Sequence, residues 1–222
     1  EFAESPAGIS GGWDGYRGTP NLVRLFDFIN NDSPMASQII DHRGIFFDKN
    51  RSIDITTSVT GTFTTEGWAV YKYTNMRSDG QAGSNTTFPD TDFPMFRLGD
   101  VYLMYAEAVA RGGQGGSMDS AVSYVNALRK RAYGDDSHAI DAKWLQANNY
   151  RNILDERGRE LYWEGVRRTD LIRYGLFTSS NYLWTFKGGV LGGVGVDSRY
   201  NVFPIPTTDI SVNANLHQNE GY

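Results

Sequence analysis

The run Gly112-Gly113-Gln114-Gly115-Gly116 constrains most what this chain can fold into. It separates two stretches whose apolar residues recur at helical spacing, and no helix continues through four glycines in five positions. Ahead of the break, Leu98, Val101, Tyr102, Tyr105, Ala108 and Val109 define one buried face of a helix that starts near Arg97. Leu103, Met104, Ala106 and Ala110 make the other side apolar as well, so this helix is expected to pack on two sides. Behind the break, Ser117 suits an N-cap, and Met118, Ala121, Val122, Val125 and Leu128 form the next face. Two amphipathic helices joined by so short a link lie antiparallel.

The pair has something of a tetratricopeptide unit, with Leu98-Gly99 followed by Tyr102, although its spacing is longer than the strict repeat and no second copy is visible. A third helix is expected from about Tyr150 to Glu164, closed by Gly165, and a shorter one from Thr169 to Tyr174, closed by Gly175. Pro20 suits the first position of a helix carrying Leu22, Val23, Leu25, Phe26 and Ile29. Residues 44–47 and 61–73 read as strands, the second with Val70-Tyr71-Lys72-Tyr73 after Gly67-Trp68. Residues 1–19, 78–94 and 185–196 read as loops, and Phe203-Pro204-Ile205-Pro206 as an extended tail. The expected class is mainly α: a helix pair with long irregular loops and a few short strands.

Composition narrows the function. The 222 residues carry 21 Lys plus Arg against 26 Asp plus Glu, a formal charge of −5, and the densest basic pair, Arg167-Arg168, lies among carboxylates. A nucleic-acid backbone needs clustered cations, so that partner is not expected. Cys is absent, which excludes disulfides, thiolate metal sites and a Cys nucleophile. His42, His138 and His217 have no partners at metal-ligand spacing, no Ser sits in a Gly-x-Ser-x-Gly elbow, and the glycine runs lack Gly-Lys-Ser/Thr. No cofactor, metal or catalytic residue is therefore expected. The first residues, Glu1-Phe2-Ala3, suggest a processed form or a piece of something longer.

Two constellations remain. Glu156, Glu160 and Glu164 at i, i+4, i+8 share one helical face, among Arg157, Arg159, Arg167, Arg168, Asp170 and Arg173. Paired carboxylates of this kind serve glycoside hydrolysis, with Glu156 or Glu160 as the acting group. Interleaved arginines instead suppress carboxylate pKa values, the wrong direction for a general acid. On that reading Glu160, Glu164 and Asp170 pair with Arg167, Arg168 or Arg173 in a network joining the third and fourth helices. The other constellation is Trp13 and Tyr16 among Gly11, Gly12, Gly15 and Gly18, with Asp14 and Arg17 alongside. Flat rings beside planar hydrogen-bonding groups suit a sugar ring, while a loop aromatic folded onto the core would look the same in sequence.

Three stretches go beyond composition: Phe93-Pro94-Met95-Phe96-Arg97-Leu98-Gly99-Asp100-Val101-Tyr102-Leu103-Met104-Tyr105-Ala106-Glu107-Ala108; Leu154 through Gly165, running on to Arg168-Thr169-Asp170-Leu171-Ile172-Arg173; and Pro204-Ile205-Pro206 with Asn213, Asn215-Leu216, Gln218-Asn219 and Gly221-Tyr222. In this order and spacing the chain resembles the C-terminal half of the SusD/RagB family of outer-membrane glycan-binding lipoproteins, and Trp184 with Lys187-Gly188-Gly189 makes it most similar to the starch-binding branch. Gly158 departs from the family, which places a better helix former there, and Glu220 stands where Pro is common. The resemblance implies a non-catalytic protein on the cell surface, held by an N-terminal lipid anchor, that delivers oligosaccharides to a SusC-like TonB-dependent transporter. It also implies a loop-rich ligand face over about 1–95, a tetratricopeptide-like scaffold over about 96–176 and an extended tail over 177–222. Trp13 falls where that branch presents a stacking aromatic, with Tyr16 and Arg17 close enough to assist. The second apolar face of helix 97–111 is expected to meet the N-terminal half or another part of this chain. A glycoside hydrolase and a ligand-free helical scaffold that docks a partner are the alternatives.

Overall fold

The computed structural model describes residues 8–9, 16–57 and 64–222, so Trp13 lies outside the described residues. The chain forms two compact units, Glu1–Arg167 and Arg168–Tyr222. The first is built on helices α2 (Leu98–Ala110) and α3 (Met118–Tyr133), followed by α4 (Ala142–Gln146) and α5 (Arg151–Leu161). Ahead of them come a single-turn helix α1 (Pro20–Val23) and a minimal antiparallel pair, β1 (Phe46–Phe47) with β2 (Ala69–Val70), in the register Phe46–Val70 and Phe47–Ala69. The architecture is mainly helical with few short strands, as the sequence pattern requires.

Local chemistry accounts for the boundaries of the helix pair. Ser117 caps α3 by accepting from the Ser120 backbone N–H at 3.1 Å, and Gly134 ends it at φ +85°, a conformation that a side chain would strain. Asp141 starts α4 in the same way, accepting from the Trp144 N–H at 2.8 Å. The kink into α5 is steeper, with Asn148, Asn149 and Tyr150 all at positive φ. The third helix is thus shorter than 150–164, ending at Leu161. Gly158 is there for close approach: a Cβ would lie 2.5 Å from Leu25 Cδ1.

Two cores result. Leu103, Ala106, Ala110, Ala121, Val125, Leu128, Leu145, Ile153 and Leu161 form the helical one. The other is largely aromatic, joining Val23, Phe26, Phe28, Phe46, Ile53, Trp68, Val70 and Tyr162, with Phe26 edge-on to Phe46 at 5.4 Å and to Tyr162 at 5.8 Å. It uses most of the helix expected after Pro20: only one turn forms, Val23 and Phe26 go inward, and Ile29 stays exposed.

The face chosen by α2 corrects the sequence reading. Gly99, Leu103, Ala106, Glu107 and Ala110 are buried, whereas Leu98 and Val101 are exposed and Tyr102, Tyr105 and Val109 pack only partly. A helix apolar nearly all round does not announce its buried stripe, and small residues win it because they admit a close neighbour. Met95, Phe96, Leu98, Val101 and Met104 consequently form an exposed apolar strip, with Phe96 at 88% exposure. Patches beyond a few hundred Å² favour association. The chain by itself is expected to bind a hydrophobic dye and to self-associate with rising concentration, and Met95→Glu with Phe96→Glu to suppress both. A dye-silent monomer at every concentration would contradict this.

The second unit is mostly irregular. It contains most of α6 (Arg167–Arg173), 3-10 turns at Lys187–Gly189 and Ser198–Asn201, and α7 (Thr207–Val212), a single short helix after the extended Pro204–Pro206 stretch. The Gln218 side chain bonds both the N–H and the carbonyl of Ile205, and Asn219 Nδ2 donates to the Phe203 carbonyl, folding the end of the chain onto that stretch.

Candidate functional site

Glu156 and Glu160 of α5, with Glu164 just past its end, organise the site and are engaged by cations rather than open to a substrate. Glu156 is fully buried and accepts from three guanidinium groups: Arg43 Nη1 at 2.8 Å, Arg129 Nη1 at 2.7 Å and Arg159 Nη2 at 2.7 Å. Glu160 accepts from Arg43 at 3.0 Å, from Arg131 at 2.6 Å and from Arg97, while Glu164 accepts from Arg97 Nε at 2.6 Å and from Lys72. Burial opposes ionisation of Glu156, but Arg159, Arg43 and Arg129 outweigh it and hold its carboxyl down at about 2. At Glu160 burial is again outweighed, by hydrogen bonds from Arg131 and Arg97 and the charge of Arg43, and its carboxyl also sits at about 2. A general acid needs the opposite shift.

The network exists: Asp170 takes Arg173 as expected, whereas the partners of Glu160 and Glu164 differ from those expected. Glu160 and Glu164 take Arg43, Lys72, Arg97 and Arg131, residues far away in sequence. Arg167 Nη1 donates to the Leu154 carbonyl, Arg173 Nη2 reaches Asp170 three residues back at 2.7 Å, and Arg168 Nη2 donates to the Tyr200 carbonyl. The reason is directional. The Glu face of α5 points toward α3 and the residue 41–43 turn, whereas the arginines of α6 follow after a turn that re-aims the chain.

That turn brings the network to the cleft. The last carbonyls of α5 have no helical partner. Lys72 Nζ takes those of Glu160 and Tyr162 at 3.0 and 2.7 Å, and Arg97 Nη2 takes that of Glu160 as well, at 2.6 Å. Trp163 follows at φ +63°, a strained setting for a bulky residue that such over-determination can sustain. Its ring helps line a cleft of about 320 Å³ with Tyr71, Tyr73 and Phe93, and with Thr91 and Asp92 as polar neighbours. Tyr71 and Tyr73 follow β2 on either side of Lys72, and both line this cleft. Tyr73 donates to the Trp163 carbonyl at 3.3 Å, its ring lies 6.3 Å from that of Phe93, and burial together with Glu164 pushes its phenol up, so it remains a neutral donor.

The loop over the cleft is tied down by Asn75. Its Nδ2 donates to the carbonyls of Gly8 and Asn85, both at 2.8 Å, and its Oδ1 accepts from the Asp90 N–H at 2.9 Å. Thr91 Oγ1 adds a bond to the Thr74 carbonyl at 2.6 Å.

Of the three residues expected to meet a sugar, Tyr16 is 73% exposed and stands edge-on to Trp163 at 5.7 Å. Arg17 is turned to the Glu66 carbonyl at 2.8 Å and bridges backbone to Ala69, which fixes Tyr16 beside the cleft. Tyr71, Tyr73, Phe93 and Trp163 were missed by the sequence reading. The period-2 aromatics of Tyr71 and Tyr73 were the available signal, and a ring just past a helix end gave a weaker one at Trp163. Among the described residues no group of three or more His, Asp or Glu is placed to hold a metal ion.

Residues 50–222 match the SusD family. Over 158 residues the chain is 46% identical to "Starch-binding protein SusD" of Bacteroides thetaiotaomicron, covering 71% of this chain and 26% of that protein. "SusD-like protein P25" of Formosa agariphila is 33% identical over 139 residues, covering 58% of this chain and 24% of that protein. The chain thus spans about a quarter of the length of the curated relatives it matches. The crystal structure of a SusD-like protein from Bacteroides fragilis superposes with a TM-score of 0.55 at 19% identity, covering 95% of this chain and 48% of that one.

Proposed function

Because the chain belongs to the SusD family, we propose that it binds oligosaccharides of the starch type in the first unit's cleft and does not cleave them. In the whole protein this capture takes place at the cell surface, on an outer membrane reached through an N-terminal lipid anchor, and the oligosaccharide passes to a SusC-like TonB-dependent transporter. One observation carries the reading most: Tyr71, Tyr73, Phe93 and Trp163 converge on a single cleft, with Tyr16 at its edge.

The chemistry fits a pyranose. Its axial C–H bonds make an apolar face that stacks on a ring, and its equatorial hydroxyls need donors and acceptors at the rim. The Asp92 carboxylate and the oxygens of Thr91 and Tyr73, whose own O–H groups bond backbone carbonyls, supply acceptors for them. Trp13, outside the described residues, is assigned by the family resemblance as a further stacking ring, with Tyr16 and Arg17 assisting. Binding rather than hydrolysis is favoured by Glu156, Glu160 and Glu164, each of whose oxygens already faces a cation, and by the name of the 46% identical relative.

Stacking that covers some tens of Å² on each partner contributes roughly 2 kcal/mol, about thirtyfold in affinity. Phe93, 59% exposed, can be truncated without emptying a core. In affinity electrophoresis through amylopectin the parent chain is expected to be retarded, and Phe93→Ala and Trp13→Ala to run as in a glucan-free gel. Incubation with maltohexaose is expected to release no shorter sugar. Retardation of both variants equal to that of the parent would remove this cleft from the function, and released product would restore the hydrolase reading.

A further inference from the structure

The second unit contains a cleft of its own, of about 470 Å³, built from residues that take no part in the first unit's cleft. Its volume is in the range of small-molecule sites. Phe177, Trp184, Tyr200, Phe203 and Tyr222 contribute its rings; Phe177 and Trp184 are 5.8 Å apart and tilted by 30°, and Phe203 is 69% exposed. Two cations line it as well, and they differ in what they have left to give.

Lys187 is fully engaged. Its Nζ is buried over the Trp184 ring and donates to the carbonyls of Ser179, Tyr182 and Leu176 at 2.6, 2.7 and 3.3 Å, three donors on three acceptors. Arg168 is not. Its guanidinium carbon lies 4.2 Å from the Phe203 ring centre and 4.8 Å from that of Phe177, and its hydrogen bond is the one from Nη2 to the Tyr200 carbonyl at 2.6 Å. Among the described residues Arg168 makes no ion pair, and no acidic side chain lines the cleft, in a chain of formal charge −5. A guanidinium placed against two rings offers its edge, a planar fork of N–H groups shaped for a carboxylate.

We infer that this cleft is a second ligand site, selective for a pyranose bearing a carboxylate: a uronate-containing oligosaccharide. The exposed ring faces take the C–H face of the sugar, the Arg168 fork takes its carboxylate, and the buried Lys187 charge adds a field of the same sign. A neutral glucan lacks the group that Arg168 awaits. The site stands apart from the starch cleft in residues and in chemistry, so either assignment can fail alone.

The test is calorimetric titration of the 222-residue chain with trigalacturonate, maltotriose and acetate at low salt. Trigalacturonate is expected to bind, and to bind more weakly as salt rises. Arg168→Gln is expected to weaken it by about tenfold or more, the effect of losing a charge-assisted fork. Phe203→Ala, a surface truncation that spares the fold, is expected to weaken it comparably. Retardation in amylopectin is expected to be unchanged by Arg168→Gln. Trigalacturonate affinity indifferent to both substitutions overturns the site. Maltotriose affected by Arg168→Gln as strongly as trigalacturonate overturns the charge selectivity, and acetate competing as well as the trisaccharide overturns the sugar.

Discussion

Glu156→Ala is expected to destabilise the chain by about 3–5 kcal/mol in urea unfolding, a large share of what a domain of this size has to lose. The size follows from what is left behind. Glu156 has no solvent exposure, and Arg43, Arg129 and Arg159 all point at its two oxygens. Their side chains are themselves about nine-tenths covered, at 9%, 9% and 11% exposure, so water cannot replace the lost carboxylate. Glu156→Gln keeps the shape and some hydrogen bonding but not the charge, and is expected to cost less than the Ala variant. A loss below about 1 kcal/mol for Glu156→Ala, the range of an exposed pair, would mean that the network is not the clip holding α3, α5 and the residue 41–43 turn together.

Acid is expected to unfold the chain along the same axis. Glu156 and Glu160 both have folded-state values near 2 against an ordinary 4.5. The unfolded chain therefore takes up protons first as pH falls, and the stability these groups contribute is complete above about pH 4.5 and lost progressively toward pH 2. A shift of that size corresponds to roughly 3 kcal/mol for each carboxyl. Stability measured by urea midpoint from pH 6 to pH 2.5 is expected to fall steeply below 4.5, and Glu156→Gln to flatten that limb while starting from a lower plateau. The same steepness in parent and variant would assign acid sensitivity to other groups. Glu164, also held below its usual range, against the pull of burial, by Arg97 and Lys72, adds to the slope in the same direction. Because Lys72 and Arg97 also close the end of α5 ahead of Trp163, acid is expected to loosen the cleft lined by Tyr73, Phe93 and Trp163 before the helical core melts.

Much of the helical framework was legible in the residues. The glycine run at 112–116, the Ser117 cap and the Met118–Leu128 stripe locate α2 and the start of α3 almost to the residue, since breakers, caps and period act within a few positions of one another. The Glu156–Glu160–Glu164 face was equally plain, as was its conflict with acid catalysis, because charge spacing on a helix is a local property. The three stretches carrying the family resemblance were legible too.

What escaped depended on distance along the chain. Which stripe of α2 turns inward was decided by the small residues Gly99, Ala106 and Ala110, which matter only once a neighbour approaches them. The partners of Glu160 and Glu164 come from residues 29 to 117 positions away, and nothing in the run 156–173 distinguishes Arg131 or Arg43 from the nearer arginines. The cleft is of the same kind: Tyr71 and Tyr73 come from the segment just after β2, Phe93 from a loop and Trp163 from a strained turn, and only folding brings their rings to one place. The amino-acid sequence by itself determined the α2–α3 pair and the break between them, the family and the charge of the α5 face, all set by interactions between near neighbours. The tertiary structure alone decided the buried stripe, the ion-pair partners and the two aromatic clefts, because burial and contact between remote residues exist only once the chain has closed on itself.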